Sequence, residues 1–280
     1  MTSSVCTKLG SVLRAWLPIS CTMALNHVRK VSVSTYKTLN LVGDCVDFTS
    51  SCSMLARSQI ASYQATPTLD NSAADLYQQR LENLESACSI ASGVNNSLSC
   101  ISLWTQLFSG SLVFETYDDG QFIFTKKQDK EGNVSYSKQV RSPLSILSKI
   151  CRLASKTVGI NNFLQETSVV SLGNHALSVG NKVSVGASML ASGFSLVENT
   201  KEVYSHTVGE KSKEENVRSR FQGLRDAVLG LLCDCFDLVQ AILGLIFECA
   251  PVLLGVHAVF ILGIVGILGA AFNFVADFIG

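Results

Sequence analysis

The side chains best able to do chemistry are four histidines and ten cysteines, and their spacing assembles neither a metal site nor a catalytic one. The cysteines stand at Cys6, Cys21, Cys45, Cys52, Cys88, Cys100, Cys151, Cys233, Cys235 and Cys249. None pairs as C-x-x-C, and histidine is too sparse to complete a zinc ligand set. Most follow helical apolar spacing, which reads as small buried hydrophobes in a reducing compartment. Cys233 and Cys235, within an apolar run, are the pair open to acylation. His27, His175, His206 and His257 lie in unlike contexts, and His175 sits among Gly173, Asn174 and Ala176 as an ordinary helix residue. No H-E-x-x-H, Walker A, G-x-G-x-x-G or G-x-S-x-G string occurs. Asp118-Asp119 precedes Gly120 and reads as a turn rather than a carboxylate dyad. The expectation is a protein that is not an enzyme and uses no cofactor and no metal. Charged residues are 16% of the chain and the formal net charge is zero. Nucleic-acid binding needs a basic excess, so that partner class is not expected.

The elements that must carry the function are mostly helical. Leu39, Val42, Val46, Phe48, Cys52, Leu55 and Ile60 recur at mostly helical spacing between Ser34 and Ser62. Gln64–Asn71, with Pro67, reads as a loop. Ser72 with Asp75 resembles a capping box opening a helix to about Ser92. Asn95-Asn96 reads as a break before a further apolar piece, Leu98–Phe108. Residues 111–140 change period. LVFETY, QFIFTKK and NVSYSKQ alternate as strands do and are joined by Asp119-Gly120 and Gly132-Asn133. A small antiparallel β-meander follows. Ser142 then caps a helix that begins at Pro143 and runs to about Lys156, with a break at Gly159–Asn162. Ser168–Tyr204 is the most regular stretch. Gly173, Gly180, Gly186 and Gly193 recur along it six or seven residues apart. Each glycine costs about 1 kcal/mol inside a helix, so close packing of a second helix at these four positions is the expected compensation.

The C-terminal region belongs out of water. From Cys249 to Ala276 there is no Asp, Glu, Lys or Arg. Twenty-five helical residues rise roughly 37 Å, above the roughly 30 Å of a bilayer core. Pro251, Leu254, Phe260, Ile264, Gly266 and Phe272 mark this anchor. An anchor so near Gly280 is expected to insert after synthesis. The preceding lobe, Val228–Phe247, is ambiguous. Its Gly230, Asp234, Asp237, Ala241, Gly244 and Glu248 fall on one helical stripe amid Leu, Ile, Val, Phe and Cys. Twelve strong apolar residues contribute roughly −4 to −7 kcal/mol to insertion, and two central Asp cost roughly 5 to 7 kcal/mol. Three states stay open: a second span forming a hairpin with 252–276, an interfacial helix, or a helix docked on the rest of the chain. Lys211, Lys213, Arg218, Arg220 and Arg225 precede both lobes. By the positive-inside tendency they hold residues 1–226 in the cytosol.

The sequence thus divides into a mobile or export-signal-like start (1–33), a helical cytosol-facing domain with a meander insert (34–205), a charged connector (206–226) and a membrane segment (227–280). The fold class is mainly α: a helical bundle, a small meander, and a C-terminal transmembrane helix or hairpin. The two adjacent apolar lobes joined by Cys249-Ala250-Pro251, with a Ser/Thr-rich start, resemble the inclusion membrane (Inc) proteins of chlamydiae. That resemblance implies type III export, residence in a host vacuole membrane and contact with host cytosolic proteins. Asp234 and Asp237 interrupt the first lobe and depart from the pattern. The Gly-rich apolar end is also similar to peroxisome-shaping peroxins, which implies membrane remodelling by amphipathic helices. The partners expected are the lipid bilayer, an unidentified cytosolic protein and a second copy of the chain.

Overall fold

Six helices and one two-stranded sheet make up the described residues of this computed structural model, which are 3–64, 71–117, 120–128, 134–171, 173–208, 217–250 and 258–279. In chain order they are α1 (Ser3–Gln64), α2 (Asn71–Ser109), β1 (Phe124–Gln128), β2 (Val134–Lys138), α3 (Pro143–Glu166), α4 (Asn174–Thr207), α5 (Val217–Cys249) and α6 (Ala258–Ile279). The expected mainly α class with a meander and an apolar C-terminal pair is therefore the observed one. Helix α1 starts at Ser3, with no boundary between residues 33 and 34. The expected loop at 64–71, the meander's turn residues Asp118, Asp119, Gly132 and Asn133, and most of the charged connector lie outside the described residues, as does the side chain of Ser72.

Two helix breaks expected from sequence are absent. α2 runs straight through Asn95-Asn96, and α3 runs through Gly159–Asn162. Polar side chains weaken a helix by competing for its backbone. Here Asn96 and Asn162 are engaged by neighbours instead. Asn96 accepts from Lys156 Nζ, and Asn162 donates to Asn181 Oδ1 at 2.5 Å. The start of α3 is as expected: Ser142 Oγ accepts from Ser145 N at 3.0 Å, with Pro143 in the first turn.

The chain forms two compact units. One comprises residues 1–36 and 101–141. Its strands pair antiparallel, with Phe124 opposite Lys138, Lys126 opposite Tyr136 and Gln128 opposite Val134. The expected first strand contributes isolated bridges, Thr116 with Phe122 and Phe114 with Val140. Arg29 fastens this meander to α1. Its Nε donates to Ser109 O at 3.0 Å, its Nη1 donates to Gly120 O at 3.1 Å and Asn26 Oδ1 at 2.6 Å, and its guanidinium lies 3.9 Å over the Phe122 ring. Gly120 adopts φ +82°, and a Cβ there would overlap the carbonyl oxygen of Asn26, so only glycine fits.

The second unit comprises residues 37–100 and 142–280. Within it each helix packs on the next, and α6 returns to α1. Ser53 and Arg57 of α1 bond Leu81 O and Glu85 of α2. Cys100 Sγ of α2 lies 3.3 Å from Thr157 Oγ1 of α3. Ser148 donates to Ala191 O at 2.9 Å and Ser155 meets Ser184 at 3.1 Å, joining α3 to α4. α4 packs on α5, and α5 on α6. α6 closes the ring where a Cβ on Gly263 would lie 3.3 Å from Ser51 O. The contacts are made mainly by small and polar residues: Ser51, Ser53, Ser99, Ser148, Ala191, Ser192, Ala241 and Ala270 are all buried. Many large apolar side chains, among them Val183, Leu190, Val239, Ile264 and Leu268, point outward.

Candidate membrane interface

Helix α5 has two faces of opposite character. Phe221, Val228, Leu232, Cys235, Val239 and Ile242 recur at alternating intervals of seven, four and three, and all are exposed. That spacing keeps them on one apolar stripe. The acidic stripe expected from sequence faces the other way, into the protein. Asp234 is buried, with 4% of its surface exposed. It accepts from Asn199 Nδ2 of α4 at 2.6 Å, and Arg152 Nη2 of α3 lies 3.8 Å away. Asp237 accepts from Asn273 Nδ2 of α6 at 3.1 Å. A Cβ on Gly230 would lie 2.9 Å from Asn199 Nδ2, so α4 comes closest where α5 has no side chain. Of the three states open to this lobe from sequence, its acidic residues fit one in which protein, not lipid, faces the carboxylates.

Helix α6 is divided the same way. Ala258, Gly263, Gly266, Gly269 and Ala270 are buried, while Phe260, Ile261, Ile264, Leu268, Phe274 and Val275 face out. Phe236 stacks on Phe272 with centroids 5.1 Å apart. A Cβ on Gly266 would meet Gln240 at 4.0 Å, and Asp237 meets Asn273. Contacts climb α5 as they descend α6, so the two helices form an antiparallel hairpin. Among the six anchor residues expected from sequence, Phe260 and Ile264 lie on the outer face. Gly266 and Phe272 serve the helix contact instead, and Pro251 and Leu254 lie outside the described residues. The stretches Phe221–Cys249 and Ala258–Ala276 are both long and apolar enough to cross a membrane. The full α6 rises about 33 Å at 1.5 Å per residue.

The expectation of close packing at four α4 glycines is corrected at three of them. A Cβ on Gly173, Gly186 or Gly193 would meet nothing within 4 Å. Gly173 caps the helix rather than lying inside it. Gly180 alone is close to another helix, 3.0 Å from Asn162 Oδ1. The reason is angular: Gly186 and Gly193 share the solvent side of α4 with Val183, Leu190 and Val197. The helix glycine that does admit a neighbouring backbone is Gly263 of α6, beside Ser51 and Leu55 of α1. Gly186→Ala is therefore expected to stabilise α4 by up to about 1 kcal/mol through helix propensity. The same change at Gly180 gains less, because Asn162 must move. Thermal melts of the detergent-solubilised chain would read the difference, and a loss of stability at Gly186 would contradict the open face.

Sequence reading passed over the polar groups between helices. Lys156 of α3 interacts electrostatically with Asp47, Asp237 and Asp44. Burial pushes its ammonium below the ordinary lysine range, and Asp47 is the largest opposing influence. The Asp47 carboxyl keeps contact with water, yet crowding by neighbouring helices raises its pKa, with Lys156 opposing. Isolated Asp, Asn and Lys residues inside apolar helices were the available signal, since such residues must find partners. Burial also pushes the Cys88 and Cys151 thiols up, away from reactive thiolates. Among the described residues no group of three His, Cys, Asp or Glu side chains is placed to hold a metal ion. No protein-family model matches the chain, and neither a curated protein nor a solved structure does.

Proposed function

We propose that the chain is a membrane-anchored, non-enzymatic protein whose α5–α6 hairpin enters the bilayer and whose other elements are presented to the cytosol for protein–protein interaction. One observation carries this reading. On α5 the carboxylates of Asp234 and Asp237 turn inward, on α6 Gly263, Gly266, Gly269 and Ala270 do, and on both helices the outward face is made of Phe, Ile, Leu and Val. Helices packed in lipid share this arrangement, with small residues and interhelical polar pairs inside. The bilobed layout that resembles inclusion membrane proteins supports a vacuole membrane as the host bilayer and export from a bacterium as the route to it. A second reading, membrane remodelling by amphipathic helices, draws on the exposed apolar residues of α4. Tubulation of liposomes by residues 1–226 would favour it.

An antiparallel hairpin brings both of its ends to one side. A tag after Gly280 is expected to be digested when intact vesicles, with the N-terminal region outside, meet protease. The basic residues before α5 place that side in the cytosol. A protected tag on a carbonate-resistant chain would exclude the hairpin and leave a single span.

A further inference from the structure

Residues 111–141 balance five Lys or Arg against five Asp or Glu, but the β1–β2 hairpin separates them by face. The strand register sorts the side chains. Phe124 and Lys126 share one face with Lys138 and Tyr136. Each aromatic on that face therefore stands opposite a lysine: Phe124 opposite Lys138, and Tyr136 opposite Lys126. Phe124 is 55% exposed and Tyr136 69% exposed, and both lysines are exposed. The acidic Glu115 lies on the other face, where it accepts from Gln139 at 2.7 Å. Lys138 also lies 4.2 Å over the Phe122 ring, which fixes the base of this face.

We propose that this face is a docking surface for an anionic phospholipid leaflet. Amphipathic rings settle at the depth of headgroups, and lysine stems cover apolar surface while their ammonium groups reach phosphate. Alternation of the two across a strand pair presents both to one plane. A protein partner of matching chemistry would need an acidic, aromatic-lined groove. A leaflet supplies negative charge over a flat area, which an exposed two-stranded face fits directly. The proposal rests on the membrane-anchored reading above, which tethers the hairpin to a membrane and raises its local concentration at headgroups.

The test uses the full chain in proteoliposomes, with Trp16 and Trp104 replaced by Phe and Tyr136→Trp as the fluorescent reporter. The vesicles are phosphatidylcholine alone, or phosphatidylcholine with phosphatidylserine, each with brominated acyl chains. Carbonate resistance is checked first in the same preparation. A chain that washes off defeats the anchoring reading, and the docking proposal with it. In an anchored chain, emission of the reporter indole is expected to shift to the blue and be quenched only with phosphatidylserine, and salt should reverse this. Lys126→Gln with Lys138→Gln should lower the ratio of docked to free hairpin about 30-fold, from the share each lysine adds near an anionic surface. Lys126→Gln alone, which leaves the Lys138–Phe122 contact intact, should lower it about fivefold. Water-like, unquenched emission in both lipid compositions from an anchored chain would overturn the proposal. So would quenching that is equal with and without phosphatidylserine. A blue shift caused by an added acidic protein, with no quenching from lipid, would assign the face to a protein partner instead.

Discussion

Replacing Ile264 and Leu268 together by Lys is expected to release the chain from membranes. Both side chains point away from the protein, with 37% and 43% of their surfaces exposed. They lie near the middle of the Ala258–Ala276 stretch, where a lysine cannot reach headgroups without distortion. Each Lys at the centre of a spanning helix costs about 2.5–3.5 kcal/mol of insertion free energy, and the pair about 5–7 kcal/mol. In water the same two changes would sit on an already exposed surface and alter stability by no more than about 0.5 kcal/mol each. The two environments therefore predict results several orders of magnitude apart in partition. Val183 and Leu190 on α4 give the control, since they are at least as exposed but lie outside the hairpin. Lys at both of those positions should leave the chain in the carbonate-resistant pellet. If the α6 pair stays in that pellet as fully as the unaltered chain, the outer face of α6 does not meet lipid.

The contrast between α4 and α6 shows how far sequence reaches. Periodicity placed glycines at regular intervals in α4 and along the apolar end. It could not say which face each set would occupy, because a face acquires meaning only when a neighbour is chosen. On α6 the neighbour is α1, and Gly263 meets the backbone at Ser51 and Leu55. On α4 the neighbours α3 and α5 approach from other angles and leave Gly186 and Gly193 open. The breaks read at Asn95-Asn96 and Gly159–Asn162 failed for a related reason. Local propensity ends a helix where its polar side chains lack partners, and Lys156 and Asn181 supply them across the interface. The meander was legible because Asp-Gly and strand alternation are local signals. The acidic stripe of α5 was legible as a stripe, since it needs only the helical repeat. That it faces inward depended on Asn199, Arg152 and Asn273, which are distant in sequence.

That inward stripe makes the second large effect. Asp234 is a carboxylate with almost no access to water, held by Asn199 and faced by Arg152. Removing one partner of a buried ionic pair leaves a charge with neither water nor a counter-ion, at a cost of about 3–5 kcal/mol. Arg152 keeps about a third of its side chain in solvent, and its pairing is correspondingly screened. Arg152→Ala is therefore expected to cost about 2–3 kcal/mol. Replacing Asp234 by Leu in the same chain removes the stranded charge, and most of the loss should return. The coupling between the two sites, read from a double-mutant cycle in detergent-solubilised chain, should be about 1–2 kcal/mol. The insertion bookkeeping for α5 turns on the same residue. Two central Asp nearly cancel the apolar gain when the helix is considered alone. Packed against α3, α4 and α6, the carboxylates have partners that lipid would not supply, so entry of α5 into a bilayer must displace α3 and α4 from Asp234. Additive losses in the cycle would show that Arg152 does not balance the charge of Asp234.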